Sequence, residues 1–245
     1  MPLTVGTVSR RDEARTASLP AMSALRISAL VADAIAAGRP VVALESSVLA
    51  QGLPIPANRE AAAQMTAAVE RTGAVPAITA VVRGQLSVAL EGEDLERFLA
   101  RDGVRKVSAR DLAVASTQKA DGATTVAASL CIAGAAGLRV FATGGIGGVH
   151  RDAPFDESGD LAELARTPMV VVCAGAKSIL DVAATLERLE SLGVTVVGYR
   201  TDEMPGFFTR STGLPLSARA ESAGEIAQVY GASRALGRAQ AILVV

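Results

Sequence analysis

A three-layer α/β/α domain, with a central mixed, mostly parallel sheet and one β-hairpin, is the fold class this sequence predicts. Three observations lead there. Short Val-rich apolar runs alternate with stretches of helical periodicity, two of the runs are separated only by Arg83-Gly84, and half of the 245 residues are apolar. No fixed-period repeat, low-complexity block or Pro/Gly/Ser-rich linker divides the chain, so residues 21–245 read as one domain. Residues 1–20 contain Arg and Ser but no apolar core of the length a secretory signal needs, and they read as a disordered tail.

Taken in order, helical periodicity over about residues 22–37 ends at Gly38, and VVAL at 41–44 reads as a buried strand. The QGLPIP loop leads into a helix from Asn58 to Gly73. AITAVV and QLSVAL form the hairpin, and GEDLERFLARDG a short helix. LRVFAT, MVVVCA, VTVVGY and AILVV are further strands, alternating with helices near 124–136, 178–192 and 222–230; Ser222 with Glu225 fits a capping box at the last of these.

Composition narrows the chemistry. The 24 basic and 25 acidic residues leave a net charge of −1, and aromatics make up 3% with no Trp, so neither an electrostatic footprint for nucleic acid or membrane nor a base-stacking platform is present. No apolar stretch is long enough to span a bilayer. Cys131 and Cys173 lie in apolar runs without a CxxC pair, as reduced thiols of an intracellular protein would. His150 is the one histidine, which excludes His-rich zinc sites. The only lysines are Lys106, Lys119 and Lys177.

In parallel α/β sheets ligands gather at the carboxyl ends of strands. Glu45 directly follows VVAL, where burial would favour its protonated form and suit a general acid; pairing with an Arg or capping a helix accounts for it equally well. Lys106, opening KVSARD, is a surface lysine on position alone. Thr124 and Thr125 begin a helix whose free N–H groups suit an anion such as phosphate, or serve only as an ordinary cap. The glycines of FATGGIGGVHR could form a backbone nest for phosphate, with His150 and Arg151 as donors, but they open a polar loop and not the helix of a dinucleotide fingerprint. That loop carries Asp152, Asp156, Glu157, Ser158 and Asp160, oxygen donors that favour Mg²⁺ or Mn²⁺ if they are not simply solvated. Lys177 follows MVVVCA among small residues, with a helix expected from Ser178. Desolvation and the helix terminus would there free an amine to attack a carbonyl, the alternative being a snorkelling lysine.

The strings VVALESSVLAQGLPIPAN, GAVPA, KVSARDL, GATTVAAS, VFATGGIGGVHR, FDESGDL, VVCAGAKSILD and GYRTDEMPGFF occur in this order. Over residues 22–245 the chain resembles the pseudouridine-5′-phosphate glycosidase family, of the indigoidine-synthase-A-like group. The resemblance implies a cytoplasmic, homotrimeric lyase. Its reaction reversibly cleaves the C–C glycosidic bond of pseudouridine 5′-phosphate to uracil and ribose 5-phosphate, with one divalent ion, usually Mn²⁺. By the same resemblance Lys177 matches the lysine that forms a Schiff base with C1′, Glu45 the proton donor, and Asp156 the metal ligand. Lys106, Val126, Ser158 and Asp160 match substrate contacts. Thr124, Thr125 and His150 are expected to hold the 5′-phosphate. A C–C bond has no leaving oxygen to protonate, so an iminium electron sink suits it better than a pair of carboxylates.

Two positions depart from the family pattern. Ala109 replaces the first Arg of KVSRRD, removing a cation, and Glu157 replaces the Ile of FDIS, adding a carboxylate beside the metal position. Relatives continue past AILVV through an Asn-Pro-x-Pro segment and further helices, and without these, losses of polar contacts, stability and trimer formation are expected. Three readings follow: the pseudouridine 5′-phosphate lyase, a Schiff-base lyase or aldolase on another sugar phosphate, and a non-catalytic phosphosugar-binding fold.

Overall fold

The computed structural model describes residues 25–153 and 155–245. The tail expected over 1–20 lies outside the described residues. The chain opens with β1 (Arg26–Ile27), α1 (Ala29–Ala36), β2 (Val41–Leu44), α2 (Ala57–Glu70), β3 (Val75–Val82), β4 (Gln85–Val88) and α3 (Gly92–Ala100). It continues through β5 (Arg105–Val107), α4 (Leu112–Thr117), β6 (Gly122–Thr124), α5 (Val126–Ala135), β7 (Val140–Ala142), β8 (Val149–His150) and α6 (Gly159–Leu164). The last third holds β9 (Val170–Val172), β10 (Leu180–Asp181), α7 (Val182–Ser191), β11 (Thr195–Tyr199), β12 (Arg219–Ala220), α8 (Ala223–Ala235) and β13 (Ile242–Val244).

The main sheet runs β1-β4-β3-β2-β7-β9-β13-β11-β12, with β6 on β3 and β5 on β6; only β3–β4 and β3–β6 are antiparallel. The expected mixed, mostly parallel sheet is therefore present. Alternation along the strands assigns its two faces. Val41, Ala43, Val75, Ala77, Val81, Val171 and Leu243 pack on one side with α1, α5 and α7. Leu44, Ile78, Ala80 and Val82 pack on the other with α2 and α3, and Ile242 and Val244 there meet α8. Small side chains dominate, and α5 is almost wholly buried because its Ala-rich surface lets the sheet and α6 approach from opposite sides. Burial pushes the Cys173 thiol up to about 11, in keeping with an unreactive core cysteine.

The hairpin is as expected: Val82 pairs with Gln85, and Arg83 and Gly84 both have positive φ (48° and 82°), the signature of a tight two-residue turn. Several boundaries move. The first helix starts only after Ser28, whose side chain caps it, because residues 26–27 pair with β4. The helix expected from 178 begins at Val182 behind an Asp181 cap, since 180–181 form a strand with β8. At α8 the Ser222 hydroxyl accepts from the Glu225 N–H, but the Glu225 carboxylate reaches back to the N–H of Glu221, one residue before the reciprocal box.

An ion cluster ties α3 to the hairpin region. Arg97 bonds both Asp94 and Asp121, with Arg26 and Arg83 adding to Asp94. Burial pushes both carboxyls up, yet the Arg97 hydrogen bonds, with help from Arg26 and the Arg83 N–H, leave them below the usual aspartate range. A depressed folded-state pKa contributes stability above the unfolded value, and this is lost as pH falls through the folded value, that is, below about pH 4. Arg97→Met should lower stability at pH 7 by on the order of 3 kcal/mol. It should also flatten the fall in melting temperature between pH 5 and pH 2; an unchanged acid slope would show that the cluster does not set it.

Candidate active site

The long strand β3 organises the site. Its first half pairs with β2 and its second half with β6, so the carboxyl end of β2 meets the end of β6 head-on. Beyond β7 and β9 the two loops stay in register: Ile146 bridges Ala176, and the Lys177 N–H donates to the Ile146 carbonyl (3.0 Å). The short ladder β8–β10 pairs His150 with Leu180, three residues after Lys177. Arg151 then clasps the turn between them, donating to the carbonyls of Leu180 and Ser178.

These connections build a cavity of about 580 Å³ lined by Lys177, Lys106, Thr125, His150, Asp156, Ser158 and Asp160, all singled out in the sequence, together with Ser108 and Arg110. His150 Nδ1 lies 2.9 Å from Asp156 Oδ2, and a second bond joins the His150 N–H to the Asp156 carbonyl. Lys177 is half-buried, lines the cavity and, among the described residues, makes no ion pair. The helix terminus whose partial charge was expected beside Lys177 is absent, because α7 starts five residues later.

Asp160 is 4% exposed and acts as a clamp: Oδ1 accepts from the Ala127 N–H at the start of α5 and Oδ2 from the Gly147 N–H, both at 2.8 Å. Ser158 caps α6 through the Asp160 N–H. This packing explains the glycine run. A Cβ on Gly147 would fall 2.1 Å from Ser158 Oγ, and one on Gly148 2.3 Å from Thr185 Oγ1. The backbone nest for phosphate is narrowed accordingly: the N–H groups of Ile146, Gly147 and Val149 are given to Gly175, Asp160 and Thr185, and those of Gly144, Gly145 and Gly148 have no partner among the described residues.

Three further expectations change. Thr124 is fully buried at the end of β6, in a hydroxyl network with Ser46, Thr79 and Ser129, and does not reach the cavity. Thr125 alone is the cap, accepting from Ala128. Val126 is also fully buried and outside the cavity lining; Ala127 and Ala128 donate to Asp160 and Thr125, whereas the Val126 N–H has no partner among the described residues. Glu45 is buried (4% exposed) at the end of β2 and accepts from the hydroxyls of Ser47 and Thr143, but it is not part of the cavity lining. Arg110 and Ser108 were not singled out; the signal for them was their place in KVSARD, which the structure folds into a single turn over Ala109–Asp111 closed by a Ser108/Asp111 capping box.

Among the described residues no three His, Cys, Asp or Glu side chains gather to hold a metal ion, so a hard divalent cation bound here would keep most of its waters. Asp156 presents an accessible carboxylate with only one oxygen bonded to His150, and Ser158 adds a hydroxyl, whereas zinc would want a cluster of N or S ligands. Glu157, expected to add charge beside this position, lines the cavity but is paired: both its oxygens bind Arg188 as a fork (2.7 and 2.9 Å).

A family model described as "Indigoidine synthase A like protein" matches residues 30–245. The chain belongs to that family. Among relatives of the indigoidine synthase A-like family, the pseudouridine-5′-phosphate glycosidase of Gemmatimonas aurantiaca is 64% identical over 90% of this chain and 72% of its own length. The protein of that name from Salinispora tropica is 54% identical, covering 90% and 69%. Among solved structures, the prealnumycin C-glycosynthase in complex with ribulose 5-phosphate aligns with a TM-score of 0.85 at 40% identity, over 91% of this chain and 73% of that one. An indigoidine synthase A-like protein from Thermotoga maritima aligns with a TM-score of 0.79 at 33% identity, over 84% and 70%.

Proposed function

We propose that this chain reversibly cleaves pseudouridine 5′-phosphate and water to uracil and ribose 5-phosphate through a Schiff base on Lys177. The observation that carries the reading is the convergence of Lys177, Lys106, His150 and Asp156 on one cavity at the strand ends, in a chain close to relatives named for that activity.

The chemistry follows from the side chains. The Lys177 amine bonds to C1′ as the C1′–O4′ bond breaks and O4′ takes up a proton, which opens the ribose. The nitrogen gives up a proton, its restored lone pair forms the C1′ iminium and expels the uracil C5 with the bonding pair, and C5 takes up a proton. Water adds to the iminium and returns free lysine and ribose 5-phosphate. Glu45 is the proton donor of this proposal, its carboxyl oriented by Ser47 and Thr143. Asp156, with Ser158 nearby, would hold Mn²⁺ through a partly hydrated shell, and the ion would supply charge stabilisation and orientation. Thr125 and His150 lie where polar groups of the sugar phosphate would enter. A homotrimeric assembly and a cytoplasmic location, implied by the resemblance, belong to the same proposal.

Purified protein with Mn²⁺ and pseudouridine 5′-phosphate should release uracil and ribose 5-phosphate in equal amounts, and uracil with ribose 5-phosphate should run the reaction backward. Folded protein that releases no uracil sinks this reading. The ribulose 5-phosphate bound in the C-glycosynthase favours, as a second reading, a Schiff-base lyase on another sugar phosphate. A trapped sugar adduct without uracil release would select it.

A further inference from the structure

We propose that Arg151 is the positioning residue for Lys177, its guanidinium fixing the turn that sets the amine against the sugar carbon; this rests on the Schiff-base reading above. Lys177 opens a turn. Its carbonyl accepts from the Leu180 N–H (3.0 Å), and between the two lie Ser178 and Ile179, the latter 71% exposed. Leu180 is buried, so packing fixes the turn at its far end and leaves residues 178 and 179 to polar contacts.

Arg151 supplies those contacts. Its Nε donates to the Leu180 carbonyl at 3.1 Å and its Nη2 to the Ser178 carbonyl at 3.2 Å, so one edge of the guanidinium spans the turn. Among the described residues nothing else donates to the Ser178 carbonyl. The charge strengthens both bonds, and the planar fork loses little freedom in making them. Arg151 does not line the cavity, so it acts on the sugar through the Lys177 turn and not by contact. The residue before it extends the arrangement. His150 pairs with Leu180 in the β8–β10 ladder and meets Asp156 through Nδ1. The His150-Arg151 dipeptide therefore ties the carboxylate proposed to hold the metal ion to the turn that bears the amine. A fixed spacing of this kind matters most in the covalent step, where a displacement of about 1 Å can cost on the order of 10²-fold. Binding of the sugar phosphate, which draws on the rest of the cavity, does not depend on it.

The test is timed borohydride trapping of ribose 5-phosphate on the full chain, wild type against Arg151→Met and Arg151→Lys, with the adduct mapped to Lys177. In trapping, the amine adds to the sugar aldehyde, water leaves, and hydride from borohydride reduces the imine carbon. At saturating sugar Arg151→Met should form the adduct about 10- to 100-fold more slowly, with half-saturation within about twofold of wild type. For uracil release from pseudouridine 5′-phosphate, kcat should fall with it and KM should hold. Arg151→Lys, keeping the charge and one donor, should lie between. The Leu180 amide, bonded to Lys177, should exchange faster in Arg151→Met. Arg151 is exposed, so melting temperatures should stay within about 2 °C of wild type. Trapping at the wild-type rate overturns the inference. So does a raised half-saturation with an unchanged rate at saturation, which would make Arg151 a substrate contact, and so does slow trapping matched by a large fall in melting temperature. A wild type that takes no adduct on Lys177 overturns the proposed reaction itself, a result in which the variants play no part.

Discussion

Ribose 5-phosphate followed by borohydride is expected to leave a stable secondary amine on Lys177, and Lys177→Ala is expected to carry no adduct and to lose turnover by ~10³-fold or more. The side chain's surroundings make this separable from folding. The backbone of residue 177 is held by its N–H to Ile146, by its carbonyl to Leu180 and by the Arg151 clasp on the following turn, none of which involves the amine. Lys177→Arg should be equally inactive, because a guanidinium does not deprotonate to offer a lone pair. Peptide mapping after reduction is the decisive measurement. Wild-type protein unmodified at Lys177 under saturating sugar, or an adduct on Lys106 in its place, would remove Lys177 from the chemistry.

Asp160→Ala should be the most destabilising change in the site. Its two oxygens satisfy buried N–H groups on two different elements, the start of α5 and the glycine loop, and alanine leaves both without an acceptor. With each such group costing about 1–3 kcal/mol, a loss of about 2–6 kcal/mol is expected from urea unfolding. Asp160→Asn should lie between, since its amide keeps one acceptor and points a donor at the other N–H. Stability within about 0.5 kcal/mol of wild type would refute the clamp. The matched substrate-contact role for Asp160 would then have to come from a carboxylate free of the backbone.

What was legible in the residues differs by element. Arg83-Gly84 names its own turn, and the Val-rich runs name the parallel strands, because both signals are local. β5, β6, β8 and β10 are two or three residues long and exist through partners distant in sequence, so no periodicity marks them. The same cause displaced the helix start from Ser178 to Val182. Thr124 and Thr125 are indistinguishable in a string, yet one residue of register separates a buried strand end from a helix cap. Lys177 stood out because lysine is rare in this chain, whereas Arg110 is hidden among 21 arginines, all but three of the 24 basic residues. The GGIGG run misled for a physical reason: glycine serves close packing against Ser158 and Thr185 as readily as it serves an anion.

The position of β13 bears on how the protein is made. It lies between β9 and β11, although both precede it on the chain, and its Ile242–Val244 ladder joins them on either side. On a ribosome β9 and β11 are therefore exposed first, each with an unpaired edge, and the sheet is two separate fragments until residues 242–244 slide between them. The loop after β9 leans on this insertion, because the Cys173 N–H bonds the Val244 carbonyl just before the turn to Lys177. Assembly of the loop that carries Lys177 thus waits for β13, and a nascent chain halted before β13 would present open strand edges to its neighbours.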